Sequence, residues 1–84
     1  MYKDKIVDWL ISFGLENAEF ASHTITFEQL AAEFNLCEDV IQDMSDEIRE
    51  EAESRDEVWK LAMYANKEFI IYFHTKYCKN IVKK

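Results

Sequence analysis

Glu38, Asp39, Asp43, Asp46, Glu47, Glu50 and Glu51 are the side chains of this sequence whose type and spacing favour joint action. Glu53 extends the set to eight acids in the 16 residues 38–53, where Arg49 is the only base. On a helix they place one negative charge about every 3 Å of axis, close to the ~3.4 Å phosphate spacing along one DNA strand. Carboxylates lying together in water have nothing to desolvate them or to split their pKa values, so acid–base catalysis is not expected of them. The chemistry they offer is electrostatic, the attraction of a cationic surface on another protein. A solvated face is the plainer use of the same residues, since Glu forms helices well and Glu38 and Asp39 suit the positive end of the helix dipole. Against that, Glu50, Glu51 and Glu53 crowd the end where the dipole opposes them, and a merely solubilising face more often intersperses lysine.

The other reactive groups do not assemble into a centre. His74 and Cys78 are four residues apart, a workable helical spacing for a metal, but His23 and Cys37 supply no second pair of the kind a structural zinc site uses. No metal and no other cofactor is expected. Cys37 falls at the N-cap of the acidic segment, where the helix terminus lowers a thiol pKa while Glu38 and Asp39 oppose it. A small, partly buried capping residue is expected there rather than a nucleophile. With no Gly-rich phosphate loop and no spaced nucleophile–base pair, an enzyme is not expected.

The chain has 84 residues, 17 acids against 10 Lys and Arg, a net charge of −7 and 49% hydrophobic residues. That hydrophobic content argues for a packed core, and the charge disfavours nonspecific attraction to nucleic acid or to an anionic membrane. The longest apolar run, as at Phe69–Phe73, is five residues, far short of the roughly 20 a membrane-spanning helix needs. The amphipathic N-terminal segment lacks an apolar signal region, and two widely separated cysteines suit a reducing compartment, so a cytoplasmic protein without a Cys37–Cys78 disulfide is expected.

The elements that must position the acids are read from periodicity. Residues 3–13 set Ile6, Val7, Leu10, Ile11 and Phe13 against Lys3, Asp4, Lys5, Asp8 and Ser12, which predicts a helix closed by a left-handed cap at Gly14. Ser22 to Ile25 reads as a short strand. Thr26 and Gln29 form a capping box, flanked by Ile25 and Leu30 at the spacing of a hydrophobic staple, and open a helix over 27–34. Asn35 stands where the chain needs a positive φ. Val40, Ile41, Met44, Ile48 and Ala52 then give the apolar stripe of a third helix, 38–53.

Residues 57–75 read in two ways. As a helix, they put Asn66 within the apolar arc and Ile71 among the polar residues. As a hairpin, Trp59, Leu61, Met63 and Ala65 alternate with Val58, Lys60, Ala62 and Tyr64, Asn66-Lys67 turns, and Phe69, Ile71 and Phe73 alternate with Glu68, Ile70, Tyr72 and His74. The hairpin removes both misfits and is preferred; an all-α bundle with 55–75 helical is the alternative. The aromatic set Trp9, Phe13, Phe20, Phe27, Phe34, Trp59, Tyr64, Phe69, Tyr72 and Phe73 is expected mostly in the core, with more of it than one monomer covers. Tyr64, Tyr72 and Ile70 share the second hairpin face, where a homodimer or another partner would pack. The domain spans 1–75, and 76–84, with Lys76, Lys79, Lys83 and Lys84, is a basic C-terminal tail expected to fray.

The run from Thr26-Phe27-Glu28-Gln29-Leu30-Ala31 through Asn35-Leu36-Cys37 to Val40-Ile41 resembles the helix-turn-helix of DNA-binding regulators, with the small Ala31 where the second helix must approach. Residue-level resemblance covers 26–44; the order helix, strand, helix, helix, hairpin resembles a winged helix over 3–75. It implies an α+β, winged-helix-like domain of three helices plus a C-terminal β-hairpin. It also implies that Cys37, Glu38, Asp39, Gln42 and Asp43 would face base edges. Carboxylates at those positions turn the phosphate term against DNA, so direct DNA binding through this helix is not expected. The expectation is a non-enzymatic acidic module that binds a protein with a basic, nucleic-acid-binding site through helix 38–53. In size and charge it is similar to the DNA-mimic inhibitors of phages and mobile elements. The alternative is a small winged-helix transcription regulator that binds DNA as a dimer through Lys60, Lys67 and the basic tail.

Overall fold

The computed structural model describes residues 2–18, 20–64 and 67–78. Among these, α1 (Tyr2–Asn17), β1 (Ser22–Thr26), α2 (Phe27–Phe34), α3 (Glu38–Glu53), β2 (Val58–Tyr64) and β3 (Glu68–Phe73) follow one another, and a 3-10 turn occupies Thr75–Tyr77. The fold is α+β: three helices and one antiparallel sheet of three strands in the order β1-β3-β2.

α1 does not end at Gly14, as a glycine cap would have it, but continues to Asn17. Gly14 is buried, and the reason for glycine is contact: a Cβ there would sit 2.7 Å from Phe73 Cζ and 3.4 Å from Ile71 Cγ2. The last turn is closed by Asn17, whose Nδ2 donates to the carbonyl of Phe13 at 2.8 Å. At the start of α2 the capping box forms as its residues dictate. Gln29 N donates to Thr26 Oγ1 and Thr26 N to Gln29 Oε1, both at 3.0 Å, a cap of the kind worth about 1 kcal/mol. Asn35 ends α2 in the left-handed region, φ 57° and ψ 48°, which turns the chain into α3.

β3 is the central strand. Its inward residues Phe69, Ile71 and Phe73 meet Ile25 of β1 and Leu61 and Val58 of β2 beneath the helices, with Leu10, Leu30, Ile41 and Ile48 completing a fully buried centre. The helical alternative for 55–75 is therefore corrected. Ile71, the misfit of a helix, is 0% exposed when paired between β1 and β2. Lys67, at φ 62°, donates its N–H to Tyr64 O at 3.0 Å; Asn66, the other proposed turn residue, lies outside the described residues.

Strict alternation along β2 is also corrected. A register shift between Val58 and Lys60 leaves Val58 and Leu61 both buried and turns Trp59 out, 55% exposed. An extra residue in one strand displaces every side chain before it to the other face. After β3, Cys78 is 5% exposed and its thiol donates weakly to His74 O at 3.7 Å. Of the basic tail, Lys76 is exposed, while Lys79, Lys83 and Lys84 lie outside the described residues.

Candidate functional site

α3 buries Ile41, Ser45, Ile48 and Ala52 on one side. At about 3.6 residues per turn, the opposite side carries Asp39, Asp43, Glu47 and Glu50, a line roughly 16 Å long. All four are exposed, and none has an ion-pair or hydrogen-bond partner among the described residues. The other acids of the helix differ from these and from one another. Glu38 and Asp46 take part in loose contacts, with Lys67 at 3.9 Å and Arg49 at 3.8 Å, between well-solvated groups; such pairs contribute little.

Glu51 and Glu53 are engaged in the structure itself. Arg55 donates from Nη1 to Asp8 Oδ1 of α1 at 2.7 Å and from Nε to Glu51 Oε2 at 3.1 Å, tying α1 and α3 together just after α3 ends. The Asp8 hydrogen bond, reinforced by Glu51 and opposed in part by burial, raises the Arg55 pKa above its ordinary value. Glu53 Oε2 accepts the backbone N–H of Leu61 at 3.0 Å and fastens the end of α3 to β2. Of the seven acids singled out by spacing, six therefore remain on the accessible side and Glu51 is turned to Arg55.

The outer face of the sheet, away from the helices, carries Lys60, Ala62 and Tyr64 of β2 opposite Tyr72, Ile70 and Glu68 of β3. The Trp59 and Tyr72 rings lie 5.5 Å apart at 43°. Partial burial pushes the Tyr72 phenol up from its ordinary pKa, with Tyr64 adding to the effect. The expected burial of most aromatic residues is thus corrected for Phe20 and Trp59, while Tyr64 is exposed on the face where the alternation places it. Phe20 is 91% exposed, and Trp59 and Tyr64 are about half exposed. Phe20 lies between the helix read as far as Gly14 and the strand read from Ser22, and the lack of an assigned element there was the one signal available. Trp59 gave none, because the bulge that turns it out is made by pairing with β3.

Cys37 caps α3 with its carbonyl, which accepts from Ile41 N at 3.3 Å, but its side chain is exposed and makes no cap hydrogen bond, contrary to the partly buried role expected of it. Both cysteines are free thiols, and burial pushes Cys78 above its ordinary pKa. Among the described residues no three His, Cys, Asp or Glu side chains converge as a metal site, and no helix is long and apolar enough to cross a membrane. No protein family, no curated protein and no solved structure matches the chain.

Proposed function

We propose that this chain is a non-enzymatic, winged-helix-like module that binds protein, with α3 occupying a basic, nucleic-acid-binding site of its partner. The observation that carries the reading is the line Asp39, Asp43, Glu47 and Glu50, pointed away from the core and left without cations among the described residues. Like charges four apart on a helix destabilise it, and a lysine- or arginine-lined groove relieves that repulsion while gaining charge-assisted hydrogen bonds. Glu38 and Asp46 widen the line at its margins. The order helix, strand, helix, helix and two antiparallel strands supports the winged-helix reading, in which α3 would stand in the place of the reading helix. With acids in that place the helix imitates nucleic acid instead of reading it, as a phage or mobile-element inhibitor acting in the cytoplasm would.

Affinity purification of a partner, followed by titration, tests this. Binding weakens as salt rises, duplex DNA competes with the protein for the partner's site, and Asp43→Lys with Glu47→Lys weakens binding at least about tenfold. Retardation of duplex DNA by the isolated protein at moderate salt overturns the proposal. Loss of that retardation on removal of 76–84 would establish the regulator that binds DNA through its wing and tail.

A further inference from the structure

β1 and β2 form the two outer edges of the sheet, and the edges are closed differently. On β2 the bulge between Val58 and Lys60 bends the edge, Lys60 places a charge beside it, and Glu53 Oε2 takes the outward N–H of Leu61 at 3.0 Å. Each of these hinders the addition of another strand. β1, Ser22-His23-Thr24-Ile25-Thr26, has none of them: it holds no Lys, Arg, Asp, Glu or Pro, and its register with β3 is unbroken from Ser22 to Thr26.

Phe73 N donates to Ala21 O at 2.8 Å and Phe27 N to Lys67 O at 2.9 Å. By the alternation of an antiparallel ladder, Ala21, His23, Ile25 and Phe27 then bond to β3, while Ser22, Thr24 and Thr26 turn their backbone groups to the free edge. Thr26 N is taken by Gln29 Oε1, and Ser22 has an interaction of its own. Thr24, exposed at the centre of the strand, is the residue whose outward N–H and C=O meet no partner among the described residues. An open cavity of about 490 Å³, lined by Asn17, Phe20, Ser22, His23 and Thr24, runs beside it, with Phe20 exposed at the rim.

The charge around this edge has one sign. From Ile6 to Ile48 the chain contains no Lys or Arg, and the segments leading into and out of β1 carry Glu16, Glu28 and Glu33. Glu28 stands two residues beyond Thr26 in the first turn of α2 and is exposed, as is Glu33. A second copy of a chain of −7 is repelled from such an edge, and a cationic segment is drawn to it. We propose that β1 takes up an extended, lysine- or arginine-bearing segment of another protein as a fourth strand. Thr24 exchanges both N–H···O bonds with one residue of that segment, the main-chain part of recognition by strand addition. Basic side chains on either side of that residue meet the acids that flank β1, and the stem of one lies along the Phe20 ring. A contact centred on a single residue pair is far below the roughly 800 Å² per partner of a stable complex, so the affinity is low.

Titration of the isotope-labelled chain with synthetic peptides, followed by NMR, tests the proposal. One peptide has a valine-threonine-valine centre between lysines, another the same centre between glutamates, and a third is the lysine peptide with its bonding amides N-methylated. Up to about 2 mM, a range suited to weak association, the lysine peptide shifts the Thr24 amide resonance and those of its neighbours in β1, and added salt weakens the effect. The glutamate peptide binds at least about tenfold more weakly, and N-methylation, which removes the donors of the new ladder, abolishes the shifts. Thr24→Glu strengthens binding a few-fold, Thr24→Lys and Phe20→Ser weaken it, and Asp43→Asn with Glu47→Gln on α3 leaves the β1 shifts in place. Circular dichroism establishes that each variant is folded. Shifts confined to α3, an N-methylated peptide that binds as well as its parent, or no shift at all overturns the proposal. Thr24 shifts that follow protein concentration without peptide would make a second copy the occupant and overturn it equally.

Discussion

α1 and α3 are each 16 residues long and use that length in opposite ways. α1 buries Ile6, Val7, Leu10 and Ile11 and brings Gly14 against β3, while its exposed side mixes Lys3 and Lys5 with Asp4 and Asp8. α3 buries smaller groups, Ser45 and Ala52 alternating with Ile41 and Ile48, and turns an almost wholly acidic side to water. The first helix is held chiefly by packing. The second carries repulsion along its outer side and is fastened at its C-terminal end, by Arg55 to α1 and by Glu53 to β2. A helix that presents charge outward has to be anchored elsewhere, and α3 is held by its inner side and its C-terminal end.

Three variants sharpen or break that contrast. Gly14→Ala has the largest expected effect. Helix propensity favours Ala by about 1 kcal/mol, but forcing a Cβ against the buried Phe73 ring costs about 1–3 kcal/mol. A net loss of about 1 kcal/mol in urea denaturation is expected, and a gain would mean that α1 is not held by close packing at this point. Arg55→Ala should cost somewhat less, about 1 kcal/mol or below for a partly exposed bridge, with the difference shrinking as salt is added. Equal loss at high and low salt would show that Arg55 acts through its aliphatic contacts instead. Asp43→Asn with Glu47→Gln has the smallest effect and the opposite sign. Relieving repulsion on the outer side should raise stability by a few tenths of a kcal/mol, read as a higher melting temperature in low salt. A fall would mean that these acids support the fold.

Much of this architecture is legible without coordinates where the signal is local. The Thr26–Gln29 box and the left-handed Asn35 bracket α2, and the stripe Ile41, Ile48 and Ala52 defines α3, because capping and helical periodicity act over a single turn. The strands at 58–64 and 68–73 follow from alternation for the same reason. Gly14 shows the limit. Locally it reads as a cap, yet it is a contact with Phe73, and contact between distant segments has no local signature.

The acids divide in the same way. Their number and their concentration on one helix belong to the sequence, since charge travels with the residue and helical spacing sets which side it occupies. Which of them are spent within the fold depends on tertiary structure, because Arg55, one turn beyond Glu51, is fixed in place by Asp8 of α1, and Leu61 reaches Glu53 only after β2 has packed beside α3. The same holds for the exposure of Trp59 and the open edge at Thr24. Both depend on which strand lies beside which, and pairing between segments is set by burial of the whole core, not by the preferences of either segment alone.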